Sequence, residues 1–394
     1  MGKYSFDNPK TRIGTGSYKW EECAEGELPM WVADMEFEAA PEIREALSER
    51  LNAGAYGYNV IPEEWYAAYC GWWRDRHGLM MQPEELLFST GVVPSISSII
   101  RKLTTPNEQV VVMTPVYNIF FNSIRNNGAR VLEAPLIRTE QGYEADLTLL
   151  EEKLADPQTV LLLFCNPHNP VGKLWDAETL ERIGGLCKKH HVTVLSDEIH
   201  CDLAAPGREY VPFASVSETN RSISITCIAP TKAWNIAGLE TSAIFVPDPV
   251  LRHKVWRAIN TDEIAEPNTF AVPAAVAAFT KGGKWLSECR EYVFRNRSIF
   301  SDFVRKELPA ACLTPADATY LAWLDISSYG KCEEVAKRLR QLTGLVVTAG
   351  TEYGETGEGF LRINLACPES MLRDGMERLK RGLSAIEEEN RKGM

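Results

Sequence analysis

The chain has 394 residues, 45% of them hydrophobic and 24% charged, with a formal net charge of −12. That charge excludes a binder of nucleic-acid backbones, which needs a basic face, and no apolar run approaches the roughly 18 residues of a membrane span. Ten cysteines lie without a CxxC pair or regular spacing and the opening residues lack an apolar signal core, so the expected setting is a reducing cytoplasm.

The first thirty residues are polar and contain glycine. They read as an arm lying on another domain or subunit, and Leu28 to Met35 then turns apolar. A helix is predicted from Pro41, well suited to a first turn, to Ala53. The turn-like Ala55-Tyr-Gly-Tyr-Asn59 leads to a Trp/Tyr-rich helix over 62–77. Short apolar runs follow at Leu86–Thr90, Gln109–Thr114, Arg130–Pro135, Val160–Cys165, Val192–Asp197, Ser222–Ile228 and Thr241–Val246. Helical stretches separate most of them, among them 94–103, 117–127 and 177–191. Continuous apolar strands between helices predict an α/β fold with a seven-stranded, mostly parallel sheet covered on both faces. The last run follows its predecessor closely, which suits an antiparallel strand. Past about 285 the texture changes to a long charged helix (Lys284 to Leu308), strands at Thr319–Asp325 and Gly359–Asn364, and helices at 331–343 and 368–388. These predict a smaller α+β domain. The division expected is 48–285 for the large domain, and 1–47 with 286–394 for the arm and small domain. Glu387–Met394 reads as a frayed tail.

In open α/β sheets, ligands sit at the carboxyl ends of strands, and four such ends carry polar or Gly-rich residues. Ser89-Thr-Gly-Val-Val-Pro94 opens a helix whose backbone N–H groups at Gly91, Val92 and Val93 suit an anion. The bland alternative is an ordinary strand-to-helix turn. Asn166-Pro-His-Asn-Pro-Val-Gly172 doubles an Asn-Pro pair and aims its Asn side chains. In Ser196-Asp-Glu-Ile-His200 the carboxylate of Asp197 follows a buried run and calls for a cationic partner. Rival readings there are a helix cap, or a metal site of Asp197, Glu198, His200 and Asp202. Ile228-Ala-Pro-Thr-Lys-Ala-Trp-Asn-Ile-Ala-Gly238 delivers Lys232 past a buried strand, where burial lowers an amine's pKa and frees a nucleophile. A lysine, a buried carboxylate, an aimed amide and an anion-binding helix start together fit pyridoxal phosphate, with Tyr117 available to stack on its ring. His77, His190 and His191 read as surface residues near helix ends.

With NPHNPVGK, SDEIH and APTKAWNIAGL in that order, the chain resembles the fold-type I pyridoxal-phosphate enzymes, the aspartate aminotransferase superfamily, over nearly its whole length. LPMWVADMEF, YGY, TGVVPSI, DEIHCDL, TYLAWLD and GFLRINLACP are similar to the cystathionine β-lyase-like C–S lyases of that superfamily, the MalY/PatB group. The resemblance implies Lys232 as the Schiff-base lysine, Asp197 as the partner of the ring nitrogen, and Asn169 at the phenolic oxygen. His200 stands where aminotransferases commonly carry a tyrosine, and Thr231 adjoins the phosphate. Tyr58 resembles a tyrosine reaching the neighbouring subunit's phosphate, which implies a homodimer with shared sites. Arg362, with Ala33 and Asn169, is implied in substrate binding, the arginine gripping the α-carboxylate as a bidentate fork. Two departures stand out. Ala229 replaces a phosphate-binding serine and Glu240 a phosphate-binding arginine, which weakens the transaminase reading.

The activity implied is α,β-elimination from cystathionine or related cysteine S-conjugates, giving a thiol, pyruvate and ammonia, with no catalytic metal. An aminotransferase on the same residues is the near rival, and a regulatory or binding protein on the same fold the distant one.

Overall fold

The computed structural model describes residues 4–8 and 12–392. Seven strands form the large sheet: β1 (Leu86–Ser89), β2 (Gln109–Val112), β3 (Arg130–Glu133), β4 (Thr159–Cys165), β5 (Thr193–Asp197), β6 (Ser224–Ile228) and β7 (Ser242–Phe245). Their spatial order is β1-β7-β6-β5-β4-β2-β3. β7 runs antiparallel to both its neighbours, and every other pairing is parallel. Each of the seven predicted runs is therefore a strand of one sheet, the reversed seventh included.

The apolar character of these strands has a packing cause. Alternate residues of one strand enter different cores, so both faces must be apolar. Val110, Val112, Leu161 and Leu163 join Ile96, Ile99, Phe120 and Val255 from helices Val92–Leu103, Ile119–Asn126 and Pro249–Thr261. Val111, Leu162 and Phe164 join Leu150, Leu180 and Ile183 from helices Leu147–Leu154 and Ala177–Lys189 on the other face. A third core gathers Trp65, Tyr69 and Trp73 of helix Glu63–His77 against Ala274, Ala275 and Ala278 of helix Ala271–Lys281. Small side chains there let the helix backbones approach closely.

A second, antiparallel sheet holds β8 (Cys312–Leu313), β9 (Leu321–Asp325), β10 (Thr348–Ala349) and β11 (Phe360–Asn364), ordered β8-β9-β11-β10. Helices Gly283–Glu307, Cys332–Thr343 and Glu369–Lys392 bury Phe300, Leu339, Leu379 and Leu383 beside it. Leu28–Pro29 pairs in parallel with Leu345–Val346, tying the opening segment to this part of the chain. Within the arm, Phe6 packs on Phe37, Trp285 and Tyr292 of the same chain.

Three expectations change. The tail is helical through Lys392, because Leu379, Leu383 and Ile386 anchor that helix on its apolar stripe. His77 is no surface residue: its side chain is buried and its Nε2 lies 3.0 Å from Asp202 Oδ1. Helices Pro249–Thr261 and Ala271–Lys281 and the hairpin Ile137–Thr139/Gly142–Glu144 were not anticipated. All ten cysteines are free thiols. Among the described residues no helix is long and apolar enough to cross a membrane.

Candidate active site

The carboxyl ends of the parallel strands open onto one cleft of about 450 Å³. Ala33, Gly91, Val92, Val93, Tyr117, Asn169, Asp197, His200, Thr231 and Lys232 all line it. Sequence distance between them reaches from the arm to the turn after β6, so the fold alone assembles this set.

Lys232 is placed by what flanks it. Ala233 and Trp234 are fully buried, and the Trp234 indole N–H donates to the Gly282 carbonyl at 3.1 Å. Gly282 is required there: a Cβ would sit 2.5 Å from that indole nitrogen. The amine of Lys232 donates to the Ala33 carbonyl at 2.6 Å. Burial lowers its pKa to about 8, the positive charge of Arg362 adds to the shift, and Asp34 and Asp197 oppose it.

Asp197 ends β5 and is buried, its carboxylate accepting the Ile199 N–H at 3.1 Å. Among the described residues no cation lies within ion-pair distance of it. Burial raises its pKa to about 7, against the pull of the Ile199 N–H and Lys232. Such a carboxylate is costly by itself and needs a cationic group that the chain does not supply. Glu198 points elsewhere, into bonds with Ser196, Tyr210 and the Phe213 N–H. Asp202 faces His77 and Trp72. The four-residue metal reading at this turn therefore fails, because its side chains alternate between separate environments.

His200 faces the cleft with Nδ1 unpartnered. Burial, Lys232 and Arg362 depress its pKa to about 3, so it is a neutral imidazole. Tyr117 is held up to about 12 by burial and stays a phenol. Helix Val92–Leu103 points its first turn into the cleft. Its leading N–H groups have no intrahelical acceptor, and Pro94 has none to offer, which leaves Gly91, Val92 and Val93 for an anion. Ala229 belongs to the core and is buried. Glu240 closes the turn Ala237–Leu239 that precedes β7 and, with Glu263, lines the cleft; both have left-handed backbone, φ 50° and 56°.

Arg362, in the centre of β11, is buried behind Asn169. Its Nη1 lies 3.4 Å from Asn169 Oδ1, its Nη2 donates to the Trp31 carbonyl at 2.8 Å, and its plane lies over Tyr353. Nε is unpartnered, and among the described residues no carboxylate comes within ion-pair distance. Tyr58 stands apart, fully exposed near Val60 and Pro267, and does not enter the cleft of its own chain.

Three residues that motif reading passed over hold the site together. Asn235 accepts the Met35 N–H and donates to the carbonyls of Met35 and Phe37. Asn364 donates to the carbonyls of Val32 and Asp34, and Tyr320 to that of Ala33. The usable signal for the two asparagines was a polar residue inside an apolar motif, AWNIAG and FLRIN; Tyr320 had none.

The model of the aminotransferase class I and II family matches residues 28–379. The chain belongs to this family. Within it, the chain is 43% identical over 386 residues to the cystathionine β-lyase PatB of Bacillus subtilis strain 168, a match covering 96% of this chain and 100% of the relative. Its fold is similar to cystalysin from Treponema denticola, a structure that contains pyridoxal 5′-phosphate (TM-score 0.94, 32% identity, 97% and 99% covered). It is likewise similar to the pyridoxal-phosphate-bound C–S lyase from Staphylococcus hominis (TM-score 0.91, 33% identity, 96% and 99% covered). The residues present fit that cofactor as a family member's should. Asp197 is a buried carboxylate short of a cation, Lys232 a depressed amine, and the helix start an anion cradle.

Proposed function

We propose that the chain is a pyridoxal-phosphate-dependent C–S β-lyase, cleaving cystathionine or related cysteine S-conjugates to a thiol, pyruvate and ammonia. The observation that carries this reading is Arg362, a buried guanidinium with an unpartnered Nε and no carboxylate among the described residues, set behind Asn169 at the cleft of Lys232. An amino-acid carboxylate is the complement of that fork.

When bound, the cofactor supplies an aldehyde for the substrate amine and an electron sink for the Cα–H bond electrons. Arg362 and Asn169 hold the α-carboxylate and so orient Cα. Lys232, with its pKa near 8, takes the Cα proton as a free amine and returns a proton to the departing thiolate sulfur. With the cofactor bound, Asp197 would hold the ring nitrogen in its protonated form, His200 and Asn169 would serve the phenolic oxygen, and Tyr117 would cover the ring. Gly91, Val92, Val93 and Thr231, which line the cleft, would hold the phosphate. Tyr58 completes this grip from a second subunit, in a homodimer with shared sites. The reading also takes 48–285 as the cofactor-binding domain, and 1–47 with 286–394 as the arm and small domain. The reading also includes a cytoplasmic setting, in keeping with ten free cysteines, and, with cystathionine as substrate and homocysteine as the thiol released, a place in methionine biosynthesis.

Purified protein is assayed with cystathionine, with and without a 2-oxo acid. Pyruvate, ammonia and thiol without the acceptor are expected. Product formed only when the acceptor is added would replace the lyase with an aminotransferase.

A further inference from the structure

We propose that His77, Cys201 and Asp202 form a second site, separate from the cleft, for a divalent cation of borderline softness such as zinc. Among the described residues these three offer one nitrogen, one sulfur and one oxygen atom, all within 4.8 Å of one another. His77 Nε2 is 3.0 Å from Asp202 Oδ1, and Cys201 Sγ is 3.7 Å from Asp202 Oδ2. Metal bonds of about 2.0–2.3 Å to such ligands bring their atoms to similar mutual separations, so small side-chain adjustments suffice.

Two elements build the cluster. His77 is the last residue of helix Glu63–His77, and Cys201 and Asp202 begin the turn Cys201–Leu203 that follows β5. The Trp72 indole N–H donates to Asp202 Oδ1 at 3.0 Å, the kind of outer-shell bond that fixes a ligating carboxylate. The three side chains, each almost wholly buried, line a polar cavity of about 600 Å³ that also borders Arg76, Tyr210 and Arg290. The arginines would repel a bare cation. A dication bound by one thiolate and one carboxylate is neutral, however, and binding releases the Cys201 thiol proton to water. The catalytic cleft lies on the other side of this turn, lined by Ile199 and His200.

The test uses cofactor-loaded protein stripped with a chelator and titrated with cobalt(II), then zinc. One equivalent of cobalt is expected, with a thiolate-to-cobalt charge-transfer band that zinc abolishes. Cys201→Ser should lose the band and keep the cofactor absorbance. Trp72→Phe should weaken binding about 10–100-fold. Should Cys201→Ser not fold, His77→Gln serves, and must also lose affinity. No stoichiometric cobalt in the parent would overturn the proposal, leaving a metal-free His77–Asp202 pair. So would a band that persists in Cys201→Ser, or unchanged affinity in His77→Gln, which would assign the metal to other thiols such as exposed Cys312.

Discussion

Lys232 and Ala33 stand 199 positions apart in the chain and share a hydrogen bond of 2.6 Å, amine to carbonyl. The Ala33 carbonyl also accepts the Tyr320 hydroxyl. Around it the segment from Trp31 to Phe37 has no regular secondary structure, so its backbone groups need other partners. Arg362, Asn364 and Asn235 supply them, from β11 and from the loop after Lys232. The arm is thus fastened by the same elements that carry the chemistry.

Lys232→Ala should abolish turnover and the yellow cofactor linkage while leaving the fold in place. The loop is held by Ala233 and Trp234, and the lost amine is a half-buried charge with one hydrogen bond. Stability should change by no more than about 1 kcal/mol. Turnover at the parent rate, measured as pyruvate release, would sink the assignment of the site.

The depressed amine makes cofactor uptake pH-dependent. Only the unprotonated form attacks an aldehyde, and its fraction rises with pH until the pKa of about 8. Uptake by cofactor-free protein, followed by absorbance, should rise about tenfold per pH unit below that value and level off above it. Asp34 favours the charged amine, so Asp34→Asn should move the inflection to lower pH. An inflection left near the ordinary lysine value would remove burial as the cause.

Arg362→Lys keeps a charge and loses the planar fork. One charge-assisted bond is worth roughly 1.5–3 kcal/mol, so kcat/KM should fall on the order of 10²-fold, with the absorbance of bound cofactor unchanged. The lysine would also lose the stacking on Tyr353. An unchanged kcat/KM would mean that the substrate carboxylate binds elsewhere.

The large sheet was legible because its strands are buried on both faces, so each reads as an unbroken apolar run. The cleft residues were legible because turns at strand ends force polar groups into short, ordered motifs. What local pattern cannot carry is partnership at long range. Nothing near Asn235 announces that it bonds Met35, and nothing near His77 announces Asp202, 125 positions on. The tail from Glu387 is as solvated as its charges suggest, with 388–392 exposed, but it stays helical through Lys392 because it continues the helix that Leu379, Leu383 and Ile386 anchor.

Asp197 links cofactor binding to stability, and the sign can be worked out. Its folded pKa of about 7 lies above the ordinary carboxylate value near 3.9. Between those limits the folded chain keeps a proton that the unfolded chain releases, so stability falls as pH rises, and the loss is complete above about 7. At about 1.4 kcal/mol per unit, the cost in the cofactor-free protein is on the order of 4 kcal/mol. Asp197→Asn preserves the shape and the bond to the Ile199 N–H but removes the charge. The cofactor-free variant should therefore melt at a higher temperature than the parent at pH 8, with the advantage shrinking as pH is lowered toward 5. Adding cofactor should reverse the order, because only the carboxylate complements a cationic ring nitrogen, and the variant should bind cofactor more weakly. Melting curves across pH, with and without cofactor, test both halves. An advantage that does not vary with pH would mean that Asp197 does not titrate as its burial requires.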